Sequence, residues 1–350
     1  MVAPRDPVAD LRQIAFLLER AREPTYRVRA FRTAAGVIEA LPPDEVRART
    51  EAGTLTELAG IGERTAECVT ESLDGATPGY LRGLLAIEEA PLDPASAKLR
   101  AALRGDCHSH SDWSDGGSPI AEMARAARDI GHEYLVLTDH SPRLTVANGL
   151  SAERLERQLH VVAEVNAELA AEAADGAPPF RLLTGIEVDI LDDGTLDQRP
   201  SLLARLDLVV ASVHSKLRMP AAEMTPRMVA AISNPHTDVL GHCTGRLVTG
   251  GRGSRPESQF DAEMVFAACA HFDVAVEINS RPERLDPPKR LLSLALEMGC
   301  TFSIDTDAHA PGQLEWQVYG CARAEEVGVP ADRVINTKTA DDLLSTLKAR

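Results

Sequence analysis

Ten histidines occur in this 350-residue chain, and six of them fall into a pattern. His108 and His110 form a His-Ser-His triplet, His140 follows Asp139, His214 and His242 each follow a short apolar run, and His309 closes Asp307-Ala-His309. Neutral imidazoles with a few carboxylates suit zinc, manganese or iron(II), whereas calcium and magnesium prefer all-oxygen surroundings. Any one of these histidines alone would read as a core or surface residue; six in equivalent places read as ligands. With Asp115, Glu187 and Asp307 they make nine candidate donors, enough for three ions at three donors each, or more if a carboxylate bridges. Ions held close together suit phosphate ester hydrolysis. They generate a metal-bound hydroxide near neutral pH and neutralise charge on the phosphate and the leaving oxygen, so no side-chain nucleophile is required.

The elements that must position these residues are legible from Gly105 onward. Short apolar runs alternate with helical patterns: a first strand near Arg104 to Cys107, then Tyr134 to Leu137, Arg181 to Val188, Leu208 to Val213, Val239 to Gly241, Val274 to Ile278 and Phe302 to Ile304. Strands buried on both faces and alternating with helices specify a parallel sheet. Seven such units predict an α/β fold with a closed or nearly closed (β/α)7 barrel rather than a flat doubly wound sheet. The C-terminal ends of barrel strands share one mouth, and the candidate donors sit at those ends: His108 and His110 on the first strand, His140 on the second, Glu187 on the third, His214 on the fourth, His242 on the fifth, Asp307 and His309 on the seventh. Alternate strand residues point to one side, so His108 and His110 can serve one ion, as can Asp307 and His309. His132, His160 and His271 lie away from strand ends and are expected at the surface. No G-x-G-x-x-G follows a strand, so no dinucleotide site is expected.

The first hundred residues read as helices. Leu11, Ile14, Leu17 and Leu18 share one helical face, as do Val28, Phe31, Ala35 and Ile38 before Leu41-Pro42-Pro43 ends the run. Leu55-Thr-Glu-Leu-Ala-Gly60-Ile61-Gly62-Glu-Arg64-Thr-Ala66 then reads as a helix-hairpin-helix signature. Two glycines bracketing an isoleucine allow a tight turn and close approach to a phosphate. The amides of the second helix point outward, and Arg64 sits in its first turn, which is sequence-independent phosphate chemistry. A plain helix connection is the alternative, and the flanking leucine and alanine favour the DNA-binding motif. Residues 74–104 mix Gly, Pro and Asp with short helical stretches, so the organisation expected is a helical domain over 1–82, a linker over 83–104 and a metal-binding domain over 105–345.

The motifs Gly-Asp-Cys-His108-Ser-His110-Ser-Asp-Trp-Ser-Asp115-Gly, Leu-Thr-Asp139-His140-Ser, Gly-Ile-Glu187-Val-Asp-Ile, Ser-Val-His214-Ser, Leu-Gly-His242-Cys-Thr-Gly-Arg246, Val-Glu277-Ile-Asn279 and Asp305-Thr-Asp307-Ala-His309 together resemble the polymerase and histidinol phosphatase (PHP) family in order and spacing. The resemblance covers nearly all of 105–345 and is greatest to the PHP domain attached to bacterial family X DNA polymerases. It implies a distorted seven-stranded TIM-like barrel, a trinuclear site of three divalent ions (zinc or manganese, with iron admissible) and phosphoesterase activity, in polymerase relatives a 3′-5′ exonuclease. Carried over, it places one ion on His108, His110, Glu187 and Asp307, a second on Glu187, His214 and His242, and a third on Asp115, His140 and His309, with Glu187 bridging. Glu187, Asp307 and His309 are expected to carry the catalytic step. Asp139, Glu277 and Asn279 are expected to orient ligands or bind substrate. Arg246, Arg281 and Arg284 could clamp a phosphate or form structural ion pairs. His236 and Cys243 stand where relatives often differ.

The stretch from Glu23-Pro-Thr-Tyr-Arg27-Val-Arg29-Ala-Phe31-Arg32 to the Gly60-Ile61-Gly62 hairpin is similar to the leading helical domain of the same polymerases. It implies DNA contact through Gly60, Ile61, Gly62, Arg64, Arg27, Arg29 and Arg32. The nucleotidyltransferase core of those enzymes is missing here, so no polymerase activity is expected.

Composition bounds the reading. The chain exceeds the roughly 250 to 300 residues at which single cores split, and 44% hydrophobic with 26% charged residues describes a globular protein. No run of about 18 uncharged apolar residues and no signal-peptide core occur, so a cytoplasmic protein without membrane contact is expected. The six cysteines lack CxxC pairing and read as reduced. The net charge of −16 disfavours a DNA-coating protein. Residues 1–104 carry 14 basic and 16 acidic side chains, and the remainder 23 and 37. Arg20, Arg22, Arg27, Arg29 and Arg32 face only Glu23 within their own stretch, a local basic patch. Three functions follow for testing: trimming of DNA 3′ ends with DNA held by the helical domain, hydrolysis of a small phosphorylated metabolite as by histidinol phosphatases, or an inactive DNA-binding scaffold.

Overall fold

The structure is a computed structural model that describes residues 5–87, 93–173, 179–250 and 253–348. It divides into two compact units, residues 1–91 and 92–350.

The first unit is all helical: α1 (Pro7–Arg20), α2 (Thr25–Glu39), α3 (Pro43–Ala52), α4 (Glu63–Leu73) and α5 (Gly79–Leu85). Leu11, Ile14, Leu18, Phe31, Ile38, Cys68, Val69 and Leu81 form its core, so the apolar stripes of α1 and α2 pack as their spacing predicts. Gly60 takes φ 94, which a side chain would strain, and a Cβ there would also meet Thr33 at 2.7 Å. Ile61 is buried in the core and anchors the hairpin. The Gly62 N–H donates to Thr65 Oγ1 at 3.0 Å, and that hydroxyl donates to the Gly62 carbonyl at 3.0 Å, which ties the hairpin to the first turn of α4.

The second unit is a (β/α) barrel. Its strands are β1 (Gly105–Ser109), β2 (Tyr134–Leu137), β3 (Arg181–Asp189), β4 (Leu208–Ser212), β5 (Val239–Leu240), β6 (Ala275–Asn279) and β7 (Phe302–Asp305). They pair in parallel in sequence order, and a bridge between Ser109 and Ala308 brings the ends of β1 and β7 together. Side chains stitch the rest of that seam: Asp305 accepts the Cys107 N–H at 2.8 Å, Asp106 accepts the Thr306 N–H at 3.2 Å, and Asn336 donates to Asp305 at 2.8 Å. The helices are α6 (Pro94–Ala102), α7 (Ile120–Asp129), α8 (Ala152–Glu172), α9 (Pro200–Leu203), α10 (Ala221–Ile232), α11 (Ala262–His271), α12 (Lys289–Glu297), α13 (Gln317–Val327) and α14 (Ala340–Lys348). Leu135 and Leu137 of β2 pack outward with Met123 and Val162, while Tyr134 and Val136 pack inward with Leu208, Val239, Leu343 and Leu347. Helix α14 therefore plugs one end of the barrel, and the candidate donors occupy the other.

The stretch 83–104 contains helix α6, capped by Asp93 and begun by Pro94, in keeping with the short helical stretches expected there; residues 88–92 of it lie outside the described residues. One expectation changes. His132 is not at the surface: it is 4% exposed, with neither ring nitrogen hydrogen-bonded. His160 and His271 are exposed as expected.

Candidate metal centre

Strand β3 sets the centre of the mouth. Its alternation aims Glu187 inward, and five imidazole nitrogens surround that carboxylate: His242 Nε2 at 2.8 Å, His140 Nδ1 at 2.9 Å, His214 Nε2 at 3.2 Å, His108 Nε2 at 3.4 Å and His110 Nε2 at 3.6 Å. His110 Nε2 also lies 3.3 Å from Asp307. Asp115, in the loop after β1, stands 3.4 Å from His140 Nε2 and 3.2 Å from His309 Nε2. All nine expected donors thus meet in one pocket.

Donor atoms within 4.8 Å of one another form four groups able to hold an ion: His110, Asp115, His140 and His309; His108, Glu187 and His242; His108, His110 and Asp307; His140, Glu187 and His214. His108, His110 and His140 therefore each face two groups, a sharing that the expected division into three sets did not include.

The residues fit metal ions on an observation of their own. Both Glu187 oxygens and the Nε2 atoms of His108, His110, His214 and His242 are buried without a hydrogen-bond partner. Orphaned polar atoms normally cost several kcal/mol in total, and divalent cations are the partners this donor set suits. The carboxylates and imidazoles also shift one another's protonation. Burial opposes charge on Glu187, yet His214, His108, His140 and His242 hold its carboxyl well below the usual range. Burial also opposes charge on His140, but Glu187 and Asp115 push it up to about 10. His110 goes the other way, down to about 3, through burial and the neighbouring His309 and His140. His242 is lowered to about 4 by burial and Arg284.

Behind the donors lies a set of orienting groups. Glu277 receives His108 Nδ1 at 2.6 Å and also accepts the His242 N–H. Asn279 donates to Glu277 at 3.2 Å and to Asp307 at 3.3 Å. Asp139 faces away from the mouth and accepts the Ser111 N–H at 2.8 Å, the Ser111 and Ser114 hydroxyls and Gln158 at 2.6 Å; it pins the loop that carries Asp115. Asp189 Oδ1 is paired with His214 Nδ1. Sequence reading missed Asp189, although the Glu187-Val-Asp189 alternation places both carboxylates on one face of β3. Asp307 has φ 52, rare for a residue with a side chain, where the chain bends sharply after β7.

The arginines divide. Arg284 Nε contacts Asp307 at 3.0 Å, and Arg281 donates to the Asp307 carbonyl at 2.7 Å and lies 2.9 Å from His309 Nδ1, which faces the same carbonyl at 2.8 Å, so both border the mouth. Arg246 instead donates to the Arg284 and Leu285 carbonyls and lies 3.4 Å from Glu257; it braces a loop.

In the helical unit, Arg64 is exposed at the start of α4, 2.9 Å from Glu67. Arg29 is exposed. Arg32 is not a free cation: it makes a two-point pair with Glu19 at 2.7 and 2.9 Å. Arg27 is held by Glu23 and the Tyr80 hydroxyl. The basic patch is narrower than the sequence count implied, because Glu19 lies one residue outside the stretch counted.

A helix-hairpin-helix domain model matches residues 4–77, and a PHP domain model matches residues 106–281. The DNA polymerase/3′-5′ exonuclease PolX of Bacillus subtilis is 38% identical over 246 residues, which are 70% of this chain but 41% of that protein. The chain therefore spans well under half the length of that relative. A probable phosphatase of Thermoanaerobacter is 28% identical over 243 residues, 66% of this chain and 89% of that protein. Among solved structures, a histidinol phosphate phosphatase of Lactococcus lactis complexed with zinc, L-histidinol and phosphate aligns at 16% identity and a TM-score of 0.47, over 64% of this chain and 94% of that one.

Proposed function

Because the chain belongs to the PHP family and so is a hydrolase of phosphate esters, we propose that it trims DNA 3′ ends at a centre of three divalent ions. The observation that carries this reading is the buried Glu187 carboxylate amid five imidazole nitrogens at 2.8–3.6 Å. Ions bound there would activate water and neutralise charge on the attacked phosphate.

The chain's own residues do the positioning. Glu277 and Asp189 take up the Nδ1 side of His108 and His214, which turns each Nε2 lone pair toward Glu187. Asp115 and His309, with side chains 31% and 16% exposed, are the most open of the nine donors and face the incoming phosphate. Arg281 and Arg284, at the edge of the same mouth, steady non-bridging oxygens. DNA is held by the Gly60-Ile61-Gly62 hairpin with Arg64 and Arg29; this part rests on the helix-hairpin-helix match and on the polymerase/exonuclease relative.

Glu187→Ala tests the centre. It should abolish hydrolysis and lower metal content while the helical unit keeps its circular dichroism; retained activity with full metal occupancy would contradict the assignment. The second reading, a small-molecule phosphomonoesterase, is favoured by 37 acidic against 23 basic residues beyond position 104. A compact substrate meets only the mouth, whereas DNA must pass along that acidic surface.

A further inference from the structure

We propose that Arg227 is a positioning residue for His214, acting from α10 outside the mouth to set metal affinity beside Glu187. The inference rests on the reading of the centre above. Arg227 is 2% exposed, and its guanidinium reaches two separate chain segments. Nε donates to the Leu191 carbonyl at 2.9 Å, Nη1 to the Ser215 carbonyl at 3.0 Å, and Nη2 to the Ile190 carbonyl and to Ser215 Oγ at 3.1 Å. The closest carboxylate contact, Asp192, is at 3.9 Å, so the cation is occupied by carbonyls rather than by an ion pair.

The acceptors are one or two residues from the parts that matter. Ile190 follows Asp189, whose carboxylate is paired with His214 Nδ1, and Ser215 follows His214. The β3–β4 ladder ends at Asp189 and Ser212, with one further bond from the Ile190 N–H to the Ser212 carbonyl at 2.8 Å. Beyond that point the segments diverge, and Arg227 bridges them where the sheet no longer does. The turn after β3, closed by the Gly194 N–H on the Leu191 carbonyl at 2.9 Å, lies against α10 at Gly194, where a Cβ would come within 2.8 Å of the Arg227 carbonyl and 2.5 Å of the Ala230 methyl. A planar fork with five N–H donors can span two segments in this way; a lysine ammonium cannot reproduce it. A buried cation is a poor device for stability alone, since apolar replacements are often as stable. Its value here is the fixed angle it gives the Asp189–His214 pair.

The test uses the full chain with Arg227→Lys, Arg227→Met and Ser215→Ala. Manganese and zinc content are measured after dialysis, and affinity by competition with a chelator. Arg227→Lys should bind the ion beside His214 about 10- to 100-fold more weakly, with kcat restored by saturating manganese and the substrate KM unchanged. Ser215→Ala, which leaves the fold's backbone contacts in place, should weaken affinity roughly two- to ten-fold. Wild-type affinity in all the folded variants, or a loss of kcat that excess metal does not restore, would overturn the inference. A wild-type chain that takes up no metal would instead overturn the reading of the centre itself.

Discussion

Glu187 is buried with no hydrogen-bond donor to its side chain, among histidines whose Nε2 atoms are equally orphaned. That combination is unfavourable for folding unless cations enter it, so metal binding and stability should be linked. The orienting carboxylates make the same point residue by residue. Glu277→Gln keeps the shape but removes the charge facing His108 Nδ1 at 2.6 Å. It should lower metal affinity about 10- to 100-fold, measured by chelator competition, with a smaller effect on the unfolding midpoint in chelator. Unchanged affinity would show that Glu277 only fills space. At this scale much was legible beforehand. Strand alternation and histidines at the ends of five of the seven strands point to most of the nine candidates, because both are local; Asp115, in the loop after β1, lies outside that pattern. Asp189 was missed although it shares a face of β3 with Glu187, and Arg227 was not legible, since the segments it bridges, after β3 and β4, are distant from it in sequence.

At the scale of elements, the connection between α7 and β2 holds a group that should make the barrel acid-sensitive. Burial, with Arg100 nearby, lowers the His132 pKa to about 3, against about 6.5 in an unfolded chain. The folded state therefore keeps His132 neutral where the unfolded state protonates it. Its contribution is complete above about pH 6.5 and falls as pH drops toward 3, by up to about 1.4 kcal/mol per pH unit. His132→Leu, in chelator, should flatten the decline of the urea midpoint between pH 7 and 4.5; an identical decline in both proteins would remove His132 as a cause. In the helical unit, Arg32 and Glu19 have side chains 15% and 4% exposed. Arg32→Ala removes this two-point pair from the buried Glu19 carboxylate and should cost about 2 kcal/mol of stability. Arg29→Ala should change stability by less than about 0.5 kcal/mol and weaken binding to a duplex oligonucleotide. The reverse ranking would restore Arg32 as a DNA contact. Strand positions were predictable to within one or two residues, because apolar runs bounded by turns are local signals. The surface assignment of His132 failed because what covers that turn is nonlocal.

For the whole molecule, charge remains the strongest constraint. Nearly all of the −16 lies beyond residue 104, and three of the 37 acids there are candidate metal ligands, so ion binding does not account for the excess. In the helical unit Glu57, Glu63 and Glu67 are exposed around the hairpin, with Arg64 paired to Glu67. On the proposed function, DNA would meet only a few cations and the mouth, and the salt dependence of binding should be shallow, the slope tracking the number of phosphates engaged. All six cysteines are free and buried, and among the described residues no helix is long and apolar enough to cross a membrane. The most direct test supplies manganese or zinc to the purified chain with a 5′-labelled, 3′-recessed duplex, a single strand and a panel of phosphomonoesters in parallel. The account predicts stepwise shortening of the labelled strand from its 3′ end, lost in Glu187→Ala. Intact DNA beside rapid turnover of a phosphomonoester, or no hydrolysis of any substrate by a metal-loaded chain, would contradict it.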